Sequence, residues 1–495
     1  LKQKEEEIGS QQNFNKKLNI RFETMGCRLN QIESESAARA FLESDFHVII
    51  KPLQAKNDID SETILCIVNT CAVTQKAEQK DRRIIRLVLE KCPNATIIVT
   101  GCYAQLSPDD IKAMDKRIAV LKGQLKSRLA DVPELLKEQI DSKKFNPENF
   151  AEFLNEGLFN AKTEKPGTSE NAFRLATDSF IAHSRSSIKI QDGCNCMCSY
   201  CTIHIARGHS VSLDAEEVIR RVQKLEDAGQ AEVVFTAVNI GQYKGKFKDE
   251  FIKFSKLLKL CLEHTQKIRF RISSLYPETV DSEFCSVIKN PRVRPYFHIS
   301  VQSGSDKILK LMKRSYNSKQ VLDACNMLKK AKDSPFLSCD IITGFPGETD
   351  KDFSETMELC KACDFAWVHV FPFSARPGTA AAEMKPKIPQ AISGKRAAEL
   401  ALWAKQNKIK YIENFRGKIV DAVLETVKKP FVFANGEGRE IFHAVSENFL
   451  HCEISAPTGK IKIQPRTAIK LKILGPVGIG ERKTGEIDTL ADFIE

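Results

Sequence analysis

Gln191-Asp-Gly-Cys-Asn-Cys-Met-Cys-Ser-Tyr-Cys201 is the stretch on which the reading of this chain turns. Cys194, Cys198 and Cys201 are spaced C-x3-C-x2-C directly after an apolar run. Three thiolates at that spacing converge from one short loop onto a [4Fe-4S] cluster and leave one iron without a protein ligand, which is where a reactant can bind. A zinc ion is the competing occupant. It needs a fourth ligand, for which His204 and Cys196 are the nearby candidates.

Outward from this loop, six apolar runs recur with helical segments between them: Ile188 to Gln191, Val233 to Asn239, Ile268 to Ser274, Phe297 to Gln302, Leu337 to Thr343 and Trp367 to Phe373. The intervening Ala215 to Ala228, Phe254 to His264, Ser318 to Lys332 and Asp352 to Cys363 place apolar residues at three- and four-residue spacing. Repeated β-α units build a parallel sheet whose ligands sit at the carboxyl ends of the strands. Six units are two short of a closed eightfold barrel, so residues 188–414 are expected to form a partial (β/α)6 barrel. Residues 19–140 read as a second parallel α/β domain, from Ile20 to Met25, Thr63 to Val68 and Thr96 to Thr100 alternating with helical Ser36 to Ser44 and Ala77 to Lys91. Residues 141–187 read as a linker with one short helix at Phe150 to Leu158, and residues 1–18 as a mobile leader. After a helical stretch from Lys395 to Asn414, short alternating runs with turn signals (Lys418 to Leu424, Asn435 to Gly438, Leu450 to Ile454, Ile461 to Ile463, Ile469 to Leu474) predict a small β-barrel over 415–480, with 481–495 as a tail. That module carries ten Lys/Arg against six Asp/Glu, a balance suited to gripping phosphates.

The chain has 495 residues, 42% of them hydrophobic, a net charge of +11 and sixteen cysteines. No apolar run approaches the roughly 18 residues of a membrane helix, and the N-terminal residues lack the apolar region of a secretion signal. A cytoplasmic, reducing location is expected, in which thiols stay free and most cysteines are small buried hydrophobes. Cys360-Lys-Ala-Cys363 has the spacing of a redox pair. It falls near the end of a helical stretch, where the helix dipole disfavours a thiolate, and reads as core packing.

The cysteine loop, its flanking Gln191-Asp-Gly-Cys-Asn195 and Ala206-Arg207-Gly208, and the later Arg271 to Ser274, His298 to Asp306, Met312 to Arg314, Asp340 to Thr349 and Phe371 to Thr379 resemble the radical S-adenosylmethionine methylthiotransferases. The resemblance runs from Asn19 to about Gly475, and the C-terminal module is similar to the RNA-holding TRAM domain of that family. It implies a second cluster on Cys27 in Thr24-Met-Gly-Cys-Arg-Leu-Asn30, Cys71 in Asn69-Thr-Cys-Ala-Val-Thr74 and Cys102 in Thr100-Gly-Cys-Tyr-Ala-Gln105. The strand pattern puts all three just past the carboxyl ends of apolar runs, able to meet at one sheet edge. Within the family these motifs look most like the branch acting on N6-threonylcarbamoyladenosine at position 37 of tRNA. The other branches act on isopentenyladenosine in tRNA or on a ribosomal protein, and a non-catalytic iron–sulfur RNA-binding module is the alternative of a different class.

The resemblance implies two [4Fe-4S] clusters and S-adenosylmethionine in two roles, as methyl donor and as radical source, together with an electron donor and a sulfur source of unidentified kind. It implies contacts to adenosylmethionine from Ala237, Asn239, Gly241, Ser273, Ser274, Gln302, Ser303, Gly344, Gly347 and Glu348. Arg207 and Arg314 are read either as ion-pair partners or as holders of a carboxylate or phosphate. The chain departs from the family pattern at Cys196, at His204-Ile205 where Pro-Tyr is usual, at Tyr276 in place of a frequent Glu, and at Ala237 in place of a frequent Gly. Removal of residues from about Arg416 is expected to weaken tRNA binding without abolishing adenosylmethionine cleavage.

Overall fold

The computed structural model describes residues 18–160, 172–176, 185–427, 431–432, 438–457, 466–477 and 488–494. These fall into two compact units, one of 18–72 and 76–160, the other of 73–75 and everything from 172 onward. Residues 1–17 of the expected leader, and the runs around Asn435 and at Ile461 to Ile463, lie outside the described residues.

Near-continuous apolar runs, suited to strands buried on both faces, give the first unit a five-stranded sheet. Its spatial order is His47–Ile49, Asn19–Thr24, Thr63–Thr70, Thr96–Gly101, Ile118–Lys122, parallel throughout. The two edge strands were not evident in the sequence pattern. The stretch read as a linker begins with helix Pro147–Glu156, started by the Asn146 side chain, which accepts from the Glu148 and Asn149 amides at 3.0 and 3.1 Å. Asn155 then accepts from the Val120 amide at 2.9 Å and donates to the Ile118 carbonyl at 3.0 Å. With Phe150 and Leu154 buried, this helix is part of the first unit.

In the second unit all six expected strands form: Ser186–Lys189, Glu232–Thr236, Arg269–Ile272, Tyr296–Gln302, Phe336–Thr343 and Trp367–Pro372, parallel within each set of three. The two sets are stitched together at Leu275, whose amide donates to the His298 carbonyl at 2.7 Å and whose carbonyl accepts from Ser300 at 2.8 Å. The strands therefore follow in chain order as a partial barrel. Strand alternation sends Phe297, Ile299 and Val301 into the helix-covered core and His298, Ser300 and Gln302 to the concave side.

Helix Gln390–Glu413 leads to the C-terminal barrel, where Ile419–Val427, Ala468–Pro476, Thr489–Ile494, His451–Pro457 and Gly438–Ser446 pair in that order, and Gly438–Ser446 pairs back onto Ile419–Val427 to close it. The supposed tail is thus a barrel strand: Thr489 and Ala491 point inward between two neighbours that would otherwise present bare edges.

This barrel is also part of the larger one. Glu232 is clamped by Arg271 at 2.7 Å and Arg294 at 2.9 Å, all three fully buried, and Arg271 donates onward to the Ser446 and Glu447 carbonyls at 3.0 and 3.2 Å. Phe336 and Ala366 share a core with Val420, Leu424 and Leu471. Truncation at Arg416 would leave Arg271 and Arg294 without half their partners. The C-terminal barrel is therefore packed into the catalytic one, and its removal would expose buried charges there.

Candidate active site

The cysteine loop starts where strand Ser186–Lys189 ends, and a buried polar network sets its course. Gln191 accepts from the Asn239 amide at 2.9 Å and donates to the Gly193 carbonyl and Ser210 hydroxyl at 2.7 and 2.8 Å. Asp192 is paired with Lys189 at 2.9 Å and Arg207 at 2.9 Å, so Arg207 is an ion-pair partner holding the loop. Gly193 has φ +70° and sits against Gly208 and His209; an added Cβ would lie 2.0 Å from the His209 carbonyl oxygen. The Cys194 amide donates to the Gly208 carbonyl at 3.0 Å, closing the loop.

Arg314 lies between the rings of Tyr276 and Tyr316, 4.3 and 4.8 Å from their centroids, and donates to the Cys198 sulfur at 3.3 Å. Tyr276, the departure from a frequent Glu, accepts from the same guanidinium at 3.1 Å. Cys196 accepts from Gln242 at 3.1 Å, and hydrogen bonding with Cys194, against the cost of burial, brings its thiol below its ordinary value. Among the described residues no three His, Cys, Asp or Glu side chains are gathered tightly enough for a single metal ion. A zinc cage sets thiolates roughly 3.8 Å apart, whereas an iron–sulfur cluster is a larger object held at wider spacing. Three thiols on one loop are the donor chemistry that such a cluster with one open iron takes.

The residues expected at adenosylmethionine divide into two groups. Asn239, Ser273 and Gln302 stand at the carboxyl ends of consecutive strands, Gln302 with a positive φ of 71°. Ala237, Ser274 and Gly241 adjoin them; a Cβ on Gly241 would meet the Thr279 hydroxyl at 2.5 Å. Close by in sequence, the buried hydroxyls of Thr236, Ser273 and Thr279 have no hydrogen-bond partner among the described residues, a state that a polar ligand would relieve. In the second group, Gly344 donates to Glu348 at 2.9 Å, Glu348 pairs with Arg396 at 2.6 Å, and Gly347 donates to the Pro386 carbonyl at 2.9 Å. Ser303 accepts from the Ser305 amide at 3.2 Å. These four are engaged in turns and helix entries. Cys360 and Cys363 are fully buried in the core.

In the first unit, Cys27 precedes helix Arg28–Glu43, Cys71 follows strand Thr63–Thr70, and Cys102 opens helix Cys102–Leu106. Their three strands are neighbours in the sheet. Two glycines enforce the approach. A Cβ on Gly26 would lie 2.8 Å from the Cys71 sulfur, and one on Gly101, at φ +100°, would lie 2.3 Å from the Thr70 carbonyl oxygen. Asn30 donates to the Met25 and Thr70 carbonyls, both at 2.9 Å, Asn69 donates to the Asn30 carbonyl at 3.0 Å, and Lys126 joins Asn69 at 3.1 Å and Glu33 at 2.5 Å. Asp81 accepts from the Cys71 amide at 2.8 Å, and burial lifts its carboxyl to about 7. Sequence reasoning missed Lys126 and Asp81, which have no motif of their own; Asn30 and Asn69 stood inside the quoted motifs and were the available signal.

A strand-end loop with three thiols on a partial parallel barrel defines a radical S-adenosylmethionine enzyme, and residues 188–360 match the radical SAM superfamily. Residues 19–123 match the uncharacterized protein family UPF0004. The chain is 42% identical over 446 residues, 82% of its length and 91% of the relative's, to the threonylcarbamoyladenosine tRNA methylthiotransferase MtaB of Treponema pallidum. It is 33% identical, over 89% of its length and 98% of the relative's, to the protein of that name from Thermotoga maritima. A tRNA-2-methylthio-N(6)-dimethylallyladenosine synthase from a Wolbachia of Brugia malayi is 27% identical over 84% of this chain and 88% of its own. The chain belongs to the threonylcarbamoyladenosine tRNA methylthiotransferase family. It is thus a radical SAM tRNA-modifying transferase that uses S-adenosylmethionine and an iron–sulfur cluster, and no described helix is long and apolar enough to cross a membrane.

Proposed function

We propose that this enzyme converts N6-threonylcarbamoyladenosine at position 37, beside the tRNA anticodon, to its 2-methylthio derivative, with one [4Fe-4S] cluster on Cys194, Cys198 and Cys201 and a second on Cys27, Cys71 and Cys102. The observation that carries the substrate reading is the 42% identity to a relative named for that activity. The reading of two clusters rests on two sets of three cysteines, one on a single loop after strand Ser186–Lys189 with Gly193 pressed against His209, the other at the carboxyl ends of three neighbouring parallel strands with Gly26 and Gly101 where a side chain would block their approach.

C2 of adenine bears an unactivated C–H bond, and when bound the clusters and adenosylmethionine supply the methyl group and the one-electron chemistry that no side chain offers. The chain supplies binding and orientation. Arg314 fixes the Cys198 side of the loop, Asn239 and the hydroxyls of Thr236, Ser273 and Thr279 offer hydrogen bonds at the strand ends, and Ala237, Gly241, Ser274 and Gln302 complete that rim. The concave face receives a base that has left its stack, while the basic C-terminal barrel holds the backbone of the anticodon stem-loop. A cytoplasmic setting with a low-potential electron donor and a sulfur source completes the reading.

Mass spectrometry of tRNA nucleosides from a strain lacking the gene tests it. The 2-methylthio form of threonylcarbamoyladenosine should vanish and its precursor accumulate. Unchanged nucleosides would point instead to a ribosomal protein, loss of a methylthiolated isopentenyladenosine to the other tRNA branch, and absence of 5′-deoxyadenosine on incubation with adenosylmethionine and reductant to a non-catalytic module.

A further inference from the structure

On the last two barrel strands, Asp340 and His369 are register partners and share the concave side, because Cys339, Ile341 and Val368 on either side of them pack into the core. Asp340 is bound on one oxygen by His298 Nε2 at 3.1 Å, whose Nδ1 meets the Ser338 hydroxyl at 3.0 Å. Burial is the largest single influence and would raise the Asp340 carboxyl, but the hydrogen bond from His298 and the electrostatic influence of the two imidazoles together outweigh it and keep the group below its usual value, so it is ionised. His369 Nδ1 lies 3.3 Å from the Trp367 indole N–H. An indole nitrogen can only donate, so Nδ1 accepts and the imidazole proton sits on Nε2. Burial and the neighbouring His298 hold His369 below its ordinary value, which keeps the ring neutral in that tautomer. Two residues further along the same strand, on the same side, the Phe371 ring is 43% exposed.

The concave face therefore presents, side by side, one charged acceptor, one fixed N–H donor and an uncovered aromatic surface. A group that is complementary to such a pair carries an N–H and a carbonyl in one plane. The ureido group joining threonine to N6 of threonylcarbamoyladenosine is of that kind, and an isopentenyl chain has neither. We propose that Asp340 and His369 are the specificity-determining residues of this enzyme: the Asp340 carboxylate accepts from a ureido N–H, His369 Nε2–H donates to the ureido carbonyl, and Phe371 packs against the base. This deepens, and rests on, the substrate reading above. An isopentenyl group in the same place would leave the second Asp340 oxygen, the one His298 does not bind, desolvated and without a partner, and such a site discriminates strongly against the analogue lacking the polar group.

The test is binding of the reconstituted full chain to three anticodon stem-loops that differ only at N6 of residue 37: threonylcarbamoyl, isopentenyl and unmodified. The wild type should bind the first tightest. His369→Ala and Asp340→Ala should each weaken binding of the threonylcarbamoyl RNA by about 10- to 100-fold, the range for a hydrogen bond involving a charged or buried group, and leave the unmodified RNA within about twofold. His369 faces the concave side and is no member of the hydrophobic core, so its removal spares the core; Asp340→Asn retains the His298 contact as a second variant, and His369→Gln, which restores an N–H, should recover most of the preference. Variants that keep the full wild-type preference overturn this inference alone. A wild type that neither prefers nor methylthiolates the threonylcarbamoyl RNA overturns the substrate reading and this inference with it.

Discussion

Gly101 and Gly193 each sit at a positive φ, +100° and +70°, with backbone atoms of a neighbouring strand or loop where a side chain would begin. Backbone cannot yield as a flexible side chain can, so Gly101→Ala should drive apart the Cys71 and Cys102 loops and leave the Cys194 loop alone. Anaerobically reconstituted wild type should carry about eight irons per chain, four in each of two clusters, and Gly101→Ala about four; an unchanged count would remove the case for Gly101 as a cluster support. Cys196→Ala should keep the cluster that Cys194→Ala removes, measured by iron content and electron paramagnetic resonance; the opposite result would reassign the ligand. Glu232 answers a different question. Burial alone would raise its carboxyl, but Arg271 and Arg294 hold it at about 2, below its ordinary 4.5. Its stabilising contribution is therefore complete above pH 4.5 and is lost as pH falls toward 2. Glu232→Gln should lower stability at neutral pH by about 3–5 kcal/mol, the cost of leaving a buried partner charge uncompensated, and denaturation curves at several pH values should show the difference shrinking in acid.

At the scale of the element, what could be read from sequence depended on how local its cause is. The C-x3-C-x2-C spacing and the six apolar runs are local, and both were legible: each run became a strand and the cysteine loop follows the first of them. Strand Thr489–Ile494 was not, because its Thr-Leu-Ala-Asp-Phe-Ile alternation is short and gains meaning only from partners at Cys452 and Lys472. Asn146-Pro147 lies in the stretch read as a linker, ahead of the short helix expected at Phe150, yet Asn146 is a helix cap and Pro147 the first helical residue, where a missing N–H costs nothing. The pairing of Asp340 with His369 depends on register between strands separated by helix Asp350–Cys363, which no single-sequence pattern specifies. The same limit hid Lys126, more than ninety residues from its partner Glu33.

At the scale of the molecule, the C-terminal barrel is both the proposed RNA grip and the floor of the catalytic barrel, so the two roles must be separated by point changes and not by truncation. A chain ending before Arg416 should be insoluble or molten, read by loss of a cooperative unfolding transition. Lys470 and Lys472, exposed on the outside of strand Ala468–Pro476, can be reversed without touching the core. Lys470→Glu with Lys472→Glu should weaken tRNA binding and flatten its dependence on log salt by about one to two units, while adenosylmethionine cleavage without RNA stays at the wild-type rate; unchanged binding would place the RNA grip elsewhere. The most direct test of the whole account is product analysis. The reconstituted enzyme is incubated with adenosylmethionine, a reductant, a sulfide source and an anticodon stem-loop bearing N6-threonylcarbamoyladenosine at position 37. The account predicts a methylthio group at C2 of that nucleoside and none on an isopentenyl-bearing stem-loop. Modification of the isopentenyl RNA with the threonylcarbamoyl RNA left untouched would contradict it.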